Sequence, residues 1–274
     1  MEARMKKIRA LLVAFLILAT AAIGAEPRLA FSLRGSYYVP SSTTFNKEYV
    51  PAVNASLKQL SDFLAELGLA GTSRNLAEIS GTFSFGGELE FKAGPQFFVA
   101  LGAEYIFKNV QSELNVSGTV DQVAIEVAQQ GKVGLSSLPL LLTIRINLPI
   151  TTLRVYLGGG AGYYFNRAVI TERWRWLENL MKISEGDRKI VATSQNIFPH
   201  ANLGADLAVS SRFYLSGDIR VPFGTVKAFK IKSDSLDSTT VGQNLTFING
   251  EGQETDFKWE LIGPVISVSL KYKF

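Results

Sequence analysis

The last nine residues of the chain, Ile266–Phe274, read ISVSLKYKF, and this stretch decides the fold. Every even-numbered position from Ile266 onward is apolar, and every odd-numbered position from Ser267 to Lys273 is polar. Successive side chains of a β-strand point to opposite faces, so such a strand has one apolar and one polar face. The stretch therefore predicts a strand in the wall of a two-sided sheet.

The same alternation recurs in seven further segments, which brings the expected number of strands to eight. Most of them reach the ~9–11 residues that a tilted, membrane-spanning strand needs. In the glycine-rich segment Leu153–Phe165, for example, the apolar residues Leu153, Val155 and Leu157 alternate with Arg154, Tyr156 and Gly158. The seven segments are Leu29–Tyr38, Thr82–Phe91, Gln96–Lys108, Ser137–Ile150, Leu153–Phe165, His200–Val209 and Phe213–Phe223.

The connections between these segments alternate between short and long. The short ones are Ala93–Pro95, Pro149–Thr151 and Ser210–Arg212. The long ones are Val39–Ser80, Asn109–Ser136, Asn166–Ile197 and Lys232–Phe257. Short turns on one rim and long loops on the other are typical of bacterial outer-membrane barrels. We therefore expect an all-β, eight-stranded antiparallel transmembrane β-barrel with long extracellular loops that carry short helices.

Alternation alone does not say which face is outside, because a soluble lipocalin-type barrel has the same pattern with its apolar face inward. Two features favour the membrane version. The polar face is mostly Ser, Thr, Gly and Asn, which suits a narrow interior. Aromatic side chains also lie at both strand ends of the apolar face, like the girdles at lipid–water boundaries. They are Phe31, Phe91, Phe97, Phe213, Tyr272 and Phe274 at the short-turn end, and Tyr37, Phe83, Phe107 and Phe165 at the other.

Residues 1–25 have the three parts of a secretory signal peptide. A basic segment, residues 1–9, precedes an apolar run of 14 residues and the small residues Ala22, Gly24 and Ala25. An uncleaved anchor is the alternative, but 14 residues are short for a spanning helix. Residues 26–274 then form one outer-membrane β-barrel domain, and the protein is expected in the cell outer membrane of a Gram-negative envelope.

Composition excludes several classes of protein. The chain has 28 basic and 24 acidic residues, and without the four basic residues and Glu2 of the signal segment the totals are 24 and 23. Nucleic-acid binding is therefore not expected, because it needs a basic patch on the mature domain. Zero cysteine and one histidine exclude disulfides, cysteine nucleophiles and multi-histidine metal sites. We expect no cofactor, no metal and no catalytic residue.

Two segments carry a resemblance to known proteins. Leu270, Tyr272 and the terminal Phe274 resemble the C-terminal assembly signal of bacterial outer-membrane proteins, which implies the barrel assembly machinery as a partner. Pro139–Phe165, PLLLTIRINLPITTLRVYLGGGAGYYF, resembles the central strands of the OmpW-like, OmpX-like and opacity-type barrels. The OmpW-like resemblance implies binding or passage of a small hydrophobic compound.

The inward, polar face carries ten charged residues that balance in sign. An eight-stranded barrel has an interior just wide enough for side chains, and buried charges need partners. We expect a lumen ion-pair network that closes the barrel; a proton or ion path is the functional alternative. Its members are Arg34, Arg145, Arg154, Arg220 and Lys271 with Glu88, Glu90, Glu104, Asp206 and Asp218.

Apolar residues at helical spacing predict two helices in the long loops. One is Asn54–Gly68, with Asn54 as N-cap and Gly68 as the terminator; the other is Thr171–Ile183. The two helices have three open roles: packing on each other as a lid, forming a ligand pocket at the mouth, or exposing a patch for a partner protein or membrane. For the pocket, the expected ligand contacts are Trp174, Trp176, Leu57 and Leu64.

The functional expectation is a monomeric, non-enzymatic outer-membrane protein in contact with outer-membrane lipid. Its leading role is to bind or pass a small hydrophobic compound at the barrel mouth. The alternative is a structural or adhesive surface protein that acts through its extracellular loops. His200 is a candidate base beside Asp206, but a histidine hydrogen-bonded in the lumen is the simpler interpretation.

Overall fold

The computed structural model describes residues 29–40, 44–150, 153–224 and 226–274. The expected signal peptide, residues 1–25, lies outside this range, as does Thr151 of the expected turn Pro149–Thr151. The described chain is mostly β-strand. In chain order the strands are β1 Leu29–Tyr38, β2 Ala70–Arg74, β3 Thr82–Lys92, β4 Phe97–Val120, β5 Val123–Ile150, β6 Leu153–Glu178, β7 Met181–Ala208, β8 Phe213–Pro222, β9 Lys230–Asp234, β10 Thr246–Ile248, β11 Glu254–Asp256 and β12 Val265–Lys273.

Eight of these strands close into a ring. The order is β1, β3, β4, β5, β6, β7, β8 and β12, and β12 pairs back with β1, where Phe31 lies opposite Tyr272. Each neighbouring pair in the ring is antiparallel. The ring is uneven: β4 to β7 have 24 to 28 residues, whereas β1, β3, β8 and β12 have 9 to 11. The four long strands therefore rise above the others on one side of the mouth.

The apolar face of each strand is the outer face of the ring. Leu142 is 46% exposed, while its neighbour Thr143, which points inward, is 3% exposed. Exposed aromatic residues lie near both ends of this wall, for example Phe97 and Phe107 on β4. Phe107 follows Phe97 by ten residues. At about 3.3 Å per residue on a strand tilted by about 40°, these two aromatic side chains lie about 25 Å apart along the barrel axis. The ring has an apolar outer band of that height.

Two connections that we expected to be long loops are extensions of the strands. In Asn109–Ser136, β4 and β5 pair up to a two-residue turn at Asp121 and Gln122, whose φ angles are 48° and 68°. In Asn166–Ile197, β6 and β7 do the same up to Asn179 and Leu180, with φ of 47° and 66°. Consecutive positive φ angles are the mark of the tight hairpin turn whose twist matches paired strands.

The helix expected over Thr171–Ile183 is therefore wrong. These residues belong to β6 and β7, and β6 is hydrogen-bonded to β5 on one side and to β7 on the other. Pairing on both edges satisfies every backbone group of the strand, so tertiary pairing overrides the local apolar spacing. A lid of two mutually packed helices is excluded with it.

The helix expected in the first loop exists but begins earlier. A π-helical turn, Phe45–Tyr49, leads into helix α1, Val50–Glu66, and Pro51 lies in its first turn. Asn54 is not the N-cap: its side chain accepts from the Leu76 amide at 2.7 Å and donates to the Leu76 carbonyl at 3.1 Å. Gly68, with φ of +82°, follows the helix as expected, because glycine adopts the left-handed conformation at no steric cost. No helix in the described residues is long and apolar enough to cross a bilayer.

The last long loop, between β8 and β12, folds back over the mouth. Strand β9 pairs with β7, and β10 pairs with β11 in a small hairpin of its own. The loop and the first loop bury aromatic side chains against the inner wall; Phe45 and Phe229 lie 5.9 and 5.6 Å from Phe257. We call this the mouth cluster; its aromatic members are Tyr38, Phe45, Tyr49, Tyr164, Phe198, Phe229, Phe257 and Trp259.

The glycine run of β6 gives a test of how closely its strands approach. A Cβ on Gly160 would collide with the Leu142 carbonyl oxygen and lie 2.8 Å from the Thr143 Cα, whereas one on Gly159 meets only the His200 carbonyl oxygen, at 3.6 Å. We expect Gly160→Ala to lower the free energy of unfolding by about 1–3 kcal/mol. The matched change Gly159→Ala should leave it equal or slightly higher. Urea titration in detergent measures both, and equal losses would contradict the close approach.

Candidate functional sites in the lumen and at the mouth

Glu104 is the centre of one group of charges inside the ring. Its carboxylate accepts from Arg220 Nη2 at 2.9 Å and from Arg34 Nη1 at 3.4 Å. The Tyr38 hydroxyl donates to it at 2.8 Å and accepts from Arg220 at 2.7 Å. All four side chains are buried.

A second group lies next to it and shares Arg34. Arg34 also pairs with Asp218 at 2.9 Å and with Glu88 at 3.3 Å. Arg145 binds Glu88 at 2.5 Å and Glu90 at 2.8 Å. Lys271 completes the chain of charges, with Glu90 at 3.1 Å and Asp206 at 2.8 Å.

These side chains come from strands all around the ring. The charged members lie on β1, β3, β4, β5, β7, β8 and β12, and β6 supplies Tyr156, whose ring centroid is 4.8 Å from the Arg145 guanidinium. Taking charges out of water costs several kcal/mol per ion, and only good geometry with several partners offsets that cost. The arrangement therefore links side chains from all eight ring strands across the lumen.

Arg154, the tenth residue expected in the network, is placed apart from it. It lies at the short-turn end of β6, and its guanidinium stacks 5.0 Å from the ring of Tyr214. Lys273 contacts the same ring at 3.9 Å. In the described part of the chain, no carboxylate forms an ion pair with Arg154 at 4.0 Å or less, although Asp206 is its register partner.

His200 is buried in the lumen and contacts a side chain other than the expected one. Its Nε2 lies 2.9 Å from the Thr143 hydroxyl. The mouth cluster lies above it, with Tyr164 and Phe198 in contact at 4.9 Å between ring centroids. The residues described include no group of three or more potential metal ligands of the His, Cys, Asp or Glu type.

A cavity of about 440 Å³, which we call the mouth pocket, opens between α1 and the tall strands. Tyr49, Val53, Leu57 and Leu60 form its helix side. Its strand side is formed by Ser112, Gln129, Val133, Ile170 and Glu172, and Phe247 of β10 closes one end. Volume and mixed lining fall within the range of small-molecule sites, about 300–1,000 Å³ with a few polar groups.

The expected ligand contacts are only partly at this pocket. Leu57 lines it, but Leu64 is buried beneath α1 against Leu114 and Val116. Trp174 and Trp176 are outside its lining. Trp174 covers Gly186 farther out on the hairpin, where its Nε1 donates to Ser184 at 3.2 Å.

The placement of the two tryptophans follows from the corrected secondary structure. As a strand, Trp174-Arg175-Trp176 puts both rings on one face near the hairpin end. Sequence reasoning missed Tyr49, Phe247 and Glu172 as pocket residues. The signal for Glu172 was present: it is the acidic position in the inward phase of Ala168, Ile170 and Trp174.

The charged side chains near the pocket differ in whether they form an ion pair. Arg188 on β7 binds Asp234 through Nη2 at 2.6 Å and Nε at 3.2 Å, and this hydrogen bonding lowers the pKa of Asp234 to about 2. Burial, and then the charge of Glu172, raise the pKa of the Tyr49 hydroxyl above its usual value. Glu172 is thus close enough to Tyr49 for the two side chains to interact electrostatically.

The residues of the expected assembly signal lie at the closing seam of the ring. Leu270 and Phe274 are exposed on the outer face. Tyr272 contacts Phe213 and Phe274, with ring centroids 5.0 and 5.1 Å apart. Recognition of this segment by an assembly machinery stays a prediction.

Comparison with known proteins finds likeness at the level of the fold. No protein-family model and no curated protein matches the sequence. The chain is similar to the outer membrane protein OprG from Pseudomonas aeruginosa, with a TM-score of 0.43 and 12% identity over 89% of this chain and 95% of that one. Acinetobacter baumannii CarO gives 0.36 and 15% over 69% and 92%, and CarO2 from the same organism gives 0.33 and 16% over 75% and 95%.

The lumen contacts give a matched pair of variants. Glu104→Gln leaves the buried Arg220 with a neutral partner in place of its carboxylate, so we expect the free energy of unfolding to fall by about 3–5 kcal/mol. Glu126→Gln removes a pair with Arg175 that is exposed on the outer side of the tall strands. Such a pair contributes about 0–1 kcal/mol. Denaturant titrations of both variants measure this, and a Glu104→Gln loss no larger than the Glu126→Gln loss would contradict a structural role for the network.

Proposed function

We propose that the chain is an outer-membrane β-barrel that binds a small, largely apolar molecule at its outer mouth. The membrane part of this proposal rests on the outer band of the ring. Its exposed leucine, isoleucine and valine side chains form an apolar surface too large to be stable in contact with water. Aromatic residues lie at both edges of this surface. Export by residues 1–25 and the periplasmic position of the short turns belong to the same proposal.

The observation that carries the binding role is the mouth pocket. It is formed largely by α1 and the inner faces of the tall strands, so the parts of the chain that exceed a simple ring are the ones that build it. Asn46 and Asn54 hold the residues after α1 in place through hydrogen bonds to the backbone of Ile79 and Leu76. A pocket that is formed before the ligand arrives loses little conformational entropy on binding.

Binding at the mouth is favoured over passage through the ring. Below the pocket, a molecule would first meet the mouth cluster and then the paired charges around Glu104 and Arg145. An eight-stranded ring leaves an interior that side chains fill. Passage would require these buried pairs to separate.

A photoreactive apolar probe tests the proposal. After illumination of the protein in lipid nanodiscs with 2-adamantane diazirine, we expect labels at two places: the outer band, and the mouth pocket around Leu57 and Val133. Val53→Trp should fill the pocket and remove the second set while leaving the first. Peptide mass spectrometry reads both sets in one sample, so the band labels serve as the internal control. Pocket labelling that is absent, or unchanged by Val53→Trp, would contradict a ligand site there.

The alternative role, a structural or adhesive surface protein, stays a prediction. The feature that favours it is the tip of the β6–β7 hairpin, where Leu180 and Met181 are exposed.

A further inference from the structure

The mouth pocket has a mixed polar and apolar lining, and an acidic side chain lies in its wall. Among the described lining residues, Glu172 is the acidic one and Lys132 the basic one. Glu172 lies opposite Gly131 of β5 and shares the inward phase of buried Ile170, so its side chain is directed to the pocket side of β6. Lys132 belongs to the outward phase and is exposed.

The carboxylate of Glu172 forms no ion pair with a described basic side chain. In the described part of the chain, no basic side chain lies within ion-pair distance, 4.0 Å, of it. Its register neighbour on β7 is Arg188, whose charge interacts with Glu172 but whose guanidinium forms its ion pair with Asp234. The Glu172 side chain is half-buried, so a cation bound beside its carboxylate would be screened by water and salt less than on an open surface.

Two aromatic rings that line the same pocket add to this preference. Tyr49 and Phe247 both line the pocket, with ring centroids 5.2 Å apart and planes at 89°. Aromatic faces attract ammonium groups, and this attraction grows when the cation is shielded from water. An acid next to perpendicular rings is a common way of holding an organic ammonium group.

We propose that the mouth pocket selects organic cations, taking an ammonium head at Glu172 and the rings of Tyr49 and Phe247, and an apolar body between α1 and Val133. This inference rests on the proposed function, because it names the ligand class of the same pocket. An anionic ligand would meet the Glu172 charge at short range. A neutral ligand of the same shape would use the apolar walls alone.

Three ligands with one shape and different charge test this selection. Calorimetric titration of the full chain in nanodiscs of zwitterionic lipid uses 1-adamantylammonium, 1-adamantanol and adamantane-1-carboxylate, with empty nanodiscs subtracted. We expect the ammonium to bind at least tenfold more tightly than the alcohol, and the carboxylate to bind most weakly. Glu172→Gln should weaken ammonium binding at least tenfold and leave alcohol binding within twofold. Glu126→Gln, which removes an outward-facing carboxylate, should change neither.

The outcomes separate this inference from the function on which it rests. If ammonium and alcohol bind equally and Glu172→Gln changes neither, while Val53→Trp abolishes both, the pocket is a ligand site but its selection for cations is wrong. If Val53→Trp alters no binding at all, the pocket itself is wrong and both proposals fall. The ligand series on the unmodified chain decides the selection even if Glu172→Gln does not fold. Migration of unboiled samples on gels checks that each variant is folded.

Discussion

Glu104, held by Arg34, Arg220 and the Tyr38 hydroxyl, shows the constraint on which the structure depends: charge inside a narrow ring must be paired. The partners of these residues lie on strands far apart in sequence, so the pairs form only when the ring is closed in one register. A shift of one residue would turn every inward charge outward and every outward leucine inward. Pairing in the lumen and the apolar outer band are therefore two results of one alternation.

The same closure explains where a ligand site can exist. Inside the ring, buried side chains occupy the inner face of each ring strand. Above the ring, β4 to β7 continue as a tall, half-open sheet whose inner face needs a cover. Helix α1 and the last long loop supply that cover. The mouth pocket is the gap that remains between α1, Val133 of β5 and Phe247 of β10. The proposed ligand site is thus built from parts of the chain that are not needed to close the ring.

The ring strands could be predicted from the sequence, and the mouth could not. A period of two over nine or more residues indicates a strand with two different faces, so a segment such as Leu153–Phe165 is predictable from the sequence. Glu88 and Arg220 are buried in the inward phase of their strands. Thr171–Ile183 has apolar residues that fit a helix as well as a strand, and only pairing with β5 and β7 decides between them. Asn54 resembled a helix cap because its true partner, the Leu76 backbone, is distant in sequence. The pocket residues Tyr49, Phe247 and Glu172 meet only through tertiary contacts.

The central claim is that one side of each ring strand faces lipid and the other faces a lumen of buried, paired side chains. Methyl relaxation by paramagnetic agents, measured by NMR on the protein in lipid nanodiscs, tests it at adjacent residues. Leu142 lies on the outer band and Leu141 is buried inside. We predict that a lipid-soluble nitroxide strongly relaxes the Leu142 methyl groups, while Leu141 is protected from it and from a water-soluble gadolinium chelate. Relaxation of Leu141 by the lipid agent, or of Leu142 by the aqueous agent alone, would contradict the account.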